Sequence, residues 1–125
     1  FVDDEQLAKL YLEADLFVMP SAVQCADPLG EWGGEGFGLV YVEAAFFGLA
    51  SVACNFGGQT DIILHGKTGS LVAPKNAEVA KELEFYQKNR GVCRLMGKRA
   101  QQRTKRLYTN CAFSKRVLRA VYDSE

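Results

Sequence analysis

An α/β fold with a parallel sheet covered by helices on both faces is predicted by three features of this 125-residue sequence. Short, continuously apolar runs such as DLFVM and ASVAC fit strands buried on two sides. Segments with apolar residues at three-and-four spacing lie between and after them. The pattern changes at glycine and proline, where one element has to give way to a turn.

Within residues 5–14, Leu7, Leu10 and Tyr11 stand at i, i+3 and i+4 and predict a short amphipathic helix. The run ADLFVMPS, residues 14–21, is too short for another helix and is stopped by Pro20, so it reads as a buried strand. Residues 21–36 are rich in Gly, Asp and Ser and contain Pro28; a loop of that length suggests function. FGLVYVEAAFFG, residues 37–48, predicts a helix with Gly48 as its C′ residue. ASVACNF, residues 50–56, is a second buried strand, GGQTDIILHG at 57–66 a turn and short helix, and GSLVAP at 69–74 a third strand. From Asn76 onward the chain reads as helical, in segments at 77–89, 91–108 and 113–122. Three strands are few for such a sheet, and the first helix needs something to pack on. The expectation is a partial, doubly wound, Rossmann-like lobe that starts mid-domain within a larger protein. Its unpaired strand edge offers a route to dimerisation.

Composition narrows the function classes. Apolar residues make up 48% and charged residues 24%, ordinary for a globular domain. No apolar run approaches the ~18 residues needed to span a bilayer, and FVDDEQLAKL has no signal-peptide pattern. Cys25, Cys54, Cys93 and Cys111 stand alone without C-x-x-C, which argues against zinc or redox motifs and for reduced thiols in a cytoplasmic protein. The charge is divided: residues 1–70 carry ten acidic and two basic side chains, residues 71–125 five and thirteen. The basic stretch from Lys88 to Arg119 contains no acid and reads as a solvated helical face, with peripheral contact to an anionic membrane as the alternative. Without interleaved aromatics it does not predict nucleic-acid binding.

The segment GGEGFGLVYVE, residues 33–43, carries the chemistry. Gly34, Gly36 and Gly38 have the wrong spacing for a kinase glycine-rich loop, and no V-A-I-K, H-R-D or D-F-G follows. HGKTG at 65–69 lacks the first glycine of a P-loop, since Asp61 holds that position. A dinucleotide fingerprint fails because Tyr41 stands where its third glycine belongs. What remains is a glycine-rich loop entering a helix N-terminus, which presents unpaired N–H groups and the positive end of a dipole to a phosphate or sugar hydroxyl. Glu35 lies before the turn, and Glu43 is expected about two turns into the helix near Val40, Ala44 and Phe47. A carboxylate can accept from two vicinal hydroxyls at once, which suits a ribose.

ADLFVMPS, then EGFGLVYVE, then GLASVACNFGGQTDIILHGKTGSLVAP together resemble the nucleotide-binding lobe of the GT-B glycosyltransferases of family 4, whose mark is E-x7-E, here Glu35 and Glu43. FSKRVLRAVY is similar to the family's closing helix. The resemblance implies that Glu43 accepts the ribose hydroxyls of a UDP- or GDP-sugar. Glu35, the catalytic candidate, would contact the hydroxyls of the donor hexose. Gly36 and the backbone N–H groups of Phe37 and Gly38 would meet the sugar, with those of Leu39 and Val40 near the diphosphate. It implies transfer with retention, no cofactor beyond the donor and no metal, and the sequence has no D-x-D. The acceptor would be a glycan or a lipid-linked molecule, bound by a separate N-terminal lobe.

The departures from the family pattern are local. Only Lys9 and Lys67 are basic within residues 1–70, and neither belongs to the family's diphosphate-binding pair. Phe46 and Phe47 replace small residues, Ala50 a proline and Asp61 a glutamate, while His65 is expected to be structural. The competing reading is a non-catalytic nucleotide-binding or scaffold module that pairs with another chain.

Overall fold

The computed structural model describes residues 2–21, 38–111 and 114. Its centre is a parallel sheet in the order β1 (Phe17–Met19), β2 (Ser51–Cys54), β3 (Gly69–Val72). Val18, Val52 and Ser70 are in register, as are Met19, Ala53 and Leu71. Successive side chains point to opposite faces, so the two sets meet different helices. All four residues of β2 are buried, as the apolar run predicts. β1 departs from that expectation: it is an edge strand among the described residues, only half-buried, with Val18 37% exposed.

Among the described residues five helices accompany the sheet: α1 (Asp4–Glu13), α2 (Leu39–Phe46), α3 (Gln59–Ile62), α4 (Asn76–Lys88) and α5 (Arg90–Leu107). One face packs Ala50, Val52 and Val72 against Tyr86 of α4 and Cys93 and Met96 of α5. The other packs Ala53 against Tyr41 of α2, Ile62 of α3 and Ile63. The predicted doubly wound arrangement is thus present. α5 runs from one face to the other, since Cys93 and Met96 lie in the first cluster while Tyr108, its C-cap, packs against the second. Gln101 Nε2 donates to the Phe46 carbonyl at 2.7 Å, and Arg103 Nη2 to that of Asp61 at 3.1 Å.

Local chemistry sets the boundaries. Asp3 accepts the Gln6 N–H at 2.8 Å and starts α1, with Asp4 and Glu5 favourably placed in its first turn. α1 buries none of its residues; Tyr11 stacks on Phe47 and tilts against Phe17, while Leu10 stays exposed. The predicted Leu7–Leu10–Tyr11 face is therefore engaged chiefly through Tyr11. Gly48 is C′ of α2 as expected, with φ +84°. Its N–H meets the Ala45 carbonyl at 2.9 Å and that of Leu49 meets Ala44 at 3.1 Å, the paired bonds of a Schellman motif. Asn89 separates α4 from α5, its side-chain amide bonded to the Phe85 carbonyl at 2.8 Å. The segment predicted as a last helix, 113–122, lies outside the described residues except for Ser114.

Under α4, the Tyr86 hydroxyl is 2.8 Å from Ser70 Oγ and 3.2 Å from Met96 Sδ, with Tyr86 and Ser70 both buried. Removing the phenol oxygen leaves the serine hydroxyl buried without that partner, so Tyr86→Phe should destabilise the fold by about 1–2 kcal/mol in a denaturant titration. Burial raises the Tyr86 pKa above its ordinary value of 10.0, partly opposed by the bond to Ser70. A raised folded value means that this stability is full below pH 10.0 and falls as pH climbs through the folded value. Tyr86→Phe should remove part of that alkaline decline.

Candidate functional site

α2 starts at the carboxyl end of the sheet. The Tyr41 hydroxyl donates to the carbonyl of Met19, the last residue of β1, at 2.7 Å, and its ring meets Phe17 edge-on at 5.6 Å. These contacts fix the first turn of α2 against β1. Gly38 caps the helix in the left-handed region, φ +71°, with no side-chain hydrogen bond to the first turn. The Tyr41 N–H folds back to the Gly38 carbonyl at 3.0 Å, whereas among the described residues no acceptor meets the N–H groups of Leu39 and Val40. Parallel sheets bind ligands just outside the carboxyl ends of their strands, and at this end α2 presents two N–H donors that meet no acceptor among the described residues.

Gly38 is required twice over. Its φ disfavours any L side chain, and a Cβ would lie 2.8 Å from Tyr41 Cδ2. Gly38→Ala should therefore cost about 1–3 kcal/mol of stability, measured by thermal or denaturant unfolding.

Glu43 is the fifth residue of α2, just over one turn from its start and not two as the sequence reading placed it. It stands four residues after Leu39, on the same side of the helix and about 6 Å along the axis. Its side chain is exposed, and Oε2 accepts the Tyr11 hydroxyl at 3.2 Å. Burial, followed by the charge and hydrogen bond of Glu43, raises the pKa of that hydroxyl. A shallow groove of 130 Å³ runs past the pair, lined also by Leu7 and Phe47. Of the other predicted site residues, Glu35, Gly36 and Phe37 lie outside the described residues. Gly38, Leu39, Val40 and Glu43 are brought together on one short helix.

Gln59, which the sequence reading passed over, is 1% exposed just beyond the carboxyl end of β2. Its Nε2 donates to the Cys54 carbonyl at 3.2 Å, and its Oε1 is buried with no hydrogen-bond partner among the described residues. Buried acceptors are rarely left so, which marks this amide as a second polar group at the carboxyl edge of the sheet. No pattern in the sequence distinguishes it from a surface glutamine. His65 is structural as expected: its Nδ1 accepts the Leu71 N–H at 3.0 Å and pins the turn before β3.

The model of the family described as glycosyl transferases group 1 matches residues 1–103. The chain belongs to that family. Sulfoquinovosyl transferase SQD2 of Arabidopsis thaliana is 33% identical over 115 residues, covering 89% of this chain and 20% of its own length. A sucrose synthase of Solanum tuberosum is 45% identical over 56 residues, covering 43% of this chain and 7% of its own. Among solved structures, sucrose-phosphate synthase from Thermosynechococcus elongatus has a TM-score of 0.76 at 26% identity over 99% of this chain and 29% of its own. HepE of Anabaena, solved in complex with UDP, has a TM-score of 0.75 at 22% identity over 92% and 29%. The chain thus spans less than a third of each of these proteins. The neighbours bear out the α/β architecture of a GT-B lobe over nearly its whole length.

Proposed function

We propose that this chain forms the donor-binding part of a glycosyltransferase that takes a UDP- or GDP-sugar. The observation that carries the reading is the N-terminus of α2 at the carboxyl edge of the sheet, where among the described residues no acceptor meets the Leu39 and Val40 N–H groups, one turn before Glu43. The Leu39 and Val40 N–H groups receive the diphosphate, and Glu43 receives the ribose hydroxyls. Glu35 contacts the donor hexose, with Gly36, Phe37 and Gly38 beside it. The HepE structures with UDP and with UDP-glucose support this class of ligand. Transfer proceeds with retention and without a metal, by front-side or ion-pair displacement at the anomeric carbon. The carbon–oxygen bond to the diphosphate breaks, the acceptor hydroxyl oxygen takes its place on the same face and gives its proton to the departing diphosphate oxygen, and the remaining charge meets the helix N-terminus. One such dipole contributes about 0.3–2 kcal/mol, so further cationic groups from the rest of the site are needed. The acceptor, a glycan or lipid-linked molecule, is held by a separate lobe.

A calorimetric titration of UDP and of GDP into the purified protein tests this. Binding of one of the two, with the other much weaker, is the expected result and names the base. Binding of neither would overturn the donor-site reading and favour a scaffold role.

A further inference from the structure

A second charged feature lies at the opposite edge of the sheet. A groove of 300 Å³ is lined by Lys67 and Thr68 from the turn before β3 and by Arg99, Gln102, Arg103 and Arg106 from α5. Lys67 and Thr68 immediately precede β3, which places them at its amino end. The N-terminus of α2 is at the carboxyl end, beside Met19. The groove is therefore separate from the proposed donor site.

Arg99, Arg103 and Arg106 share one side of α5 because they are spaced at i, i+4 and i+7. The fold sets Lys67 against that stripe. Among the described residues no carboxylate lines the groove, and the ion pairs are elsewhere: Lys9–Glu13, Lys88–Glu84 and Arg90–Asp15. Arg103 is anchored by Nη2 on the Asp61 carbonyl, while its Nε is buried with no hydrogen-bond partner among the described residues. Four cations around one concavity repel each other unless an anion enters. Guanidinium forks match tetrahedral oxyanions in geometry, and the hydroxyl and amide of Thr68 and Gln102 add neutral hydrogen-bonding groups. Among the described residues no aromatic side chain lines the groove, which disfavours single-stranded nucleic acid, whose bases need a stacking surface.

We propose that this groove is a phosphate-binding site, distinct from the donor end, that holds a phosphate group carried by a lipid headgroup or by a soluble molecule. It makes Lys67, Arg99, Arg103 and Arg106 the anchor of a second ligand and removes them from the charges that stabilise the leaving diphosphate.

The test uses the purified protein, an Arg99→Gln/Arg106→Gln variant, and a Lys75→Gln/Lys81→Gln control that loses the same charge from exposed positions on or next to α4. Inorganic phosphate is titrated while the amide resonances of Thr68 and Arg103 are followed. In parallel, the protein is sedimented with phosphatidylcholine vesicles containing or lacking phosphatidic acid. Shifts at Thr68 and Arg103, weakened about tenfold in the Arg99/Arg106 variant and unchanged in the control, are expected for a site open to soluble phosphate. Capture by phosphatidic acid vesicles alone, lost in the same variant and kept in the control, assigns the phosphate to a lipid. Neither shifts nor capture, or equal loss in both variants, would overturn the proposal. Shifts confined to Leu39 and Val40 would also overturn it, by placing the anion at α2.

Discussion

Gly97→Val should destabilise this domain by about 3 kcal/mol or more, read as a drop in the denaturant midpoint. Gly97 is buried where α5 crosses the turn between α2 and β2. A Cβ there would fall on the carbonyl oxygen of Gly48, 2.9 Å from its carbonyl carbon and 3.0 Å from the Ala50 nitrogen. Those atoms are backbone, held by the Schellman bonds that close α2, so they cannot move aside as a side chain would. Gly91, in the first turn of the same helix, has nothing within 4 Å of its Cβ position. Gly91→Ala should therefore stabilise by about 0.4–1 kcal/mol, through lower unfolded-state entropy and better helix propensity. Opposite signs from two glycines six residues apart would separate the packing term from propensity. If both exchanges raised the midpoint, α5 would not cross Gly48 as described.

The same contrast shows which parts of the molecule the residues declare. β2 was legible because a strand buried on both faces needs four consecutive apolar or small residues, and SVAC supplies them. Gly48 was legible because a left-handed C′ position favours glycine so strongly. β1 has an equally apolar sequence, yet Val18 is partly exposed, since periodicity reports what a strand can bury and not whether a neighbour is there. Gly97 looks like an ordinary weak point in a helix; only the path of α5 past Gly48 gives it a role. The basic groove was half visible as a charge run, but Lys67 joins it from more than thirty residues away through the order of the sheet. At the candidate site, the α2 N-terminus followed from the glycine-rich entry. The Tyr11 partner of Glu43 did not, because it depends on how α1 lies across α2. Gln59 was invisible for a related reason: its burial is a property of the turn after β2.

The pairing of Tyr11 with Glu43 sharpens the test of the ribose assignment. A carboxylate offers about four lone-pair sites, and the tyrosine hydroxyl uses one, so a pair of vicinal hydroxyls can still be accepted. Glu43→Ala should weaken nucleotide binding by about 1.5 kcal/mol, roughly tenfold, at the low end for bonds to a charged group because the side chain is exposed. Glu43→Gln keeps the shape but replaces one acceptor oxygen with a donor, and should lose nearly as much. Tyr11→Phe leaves all the carboxylate's acceptor sites and removes only the group that orients it, so a change of threefold or less is expected, about 0.6 kcal/mol. Calorimetry on the three variants reads the order directly. A larger loss for Tyr11→Phe than for Glu43→Ala would mean that the phenol, and not the carboxylate, meets the ligand. Unchanged affinity in Glu43→Ala would reduce Glu43 to a clasp holding α1 on α2, leaving nucleotide binding to the helix N-terminus alone.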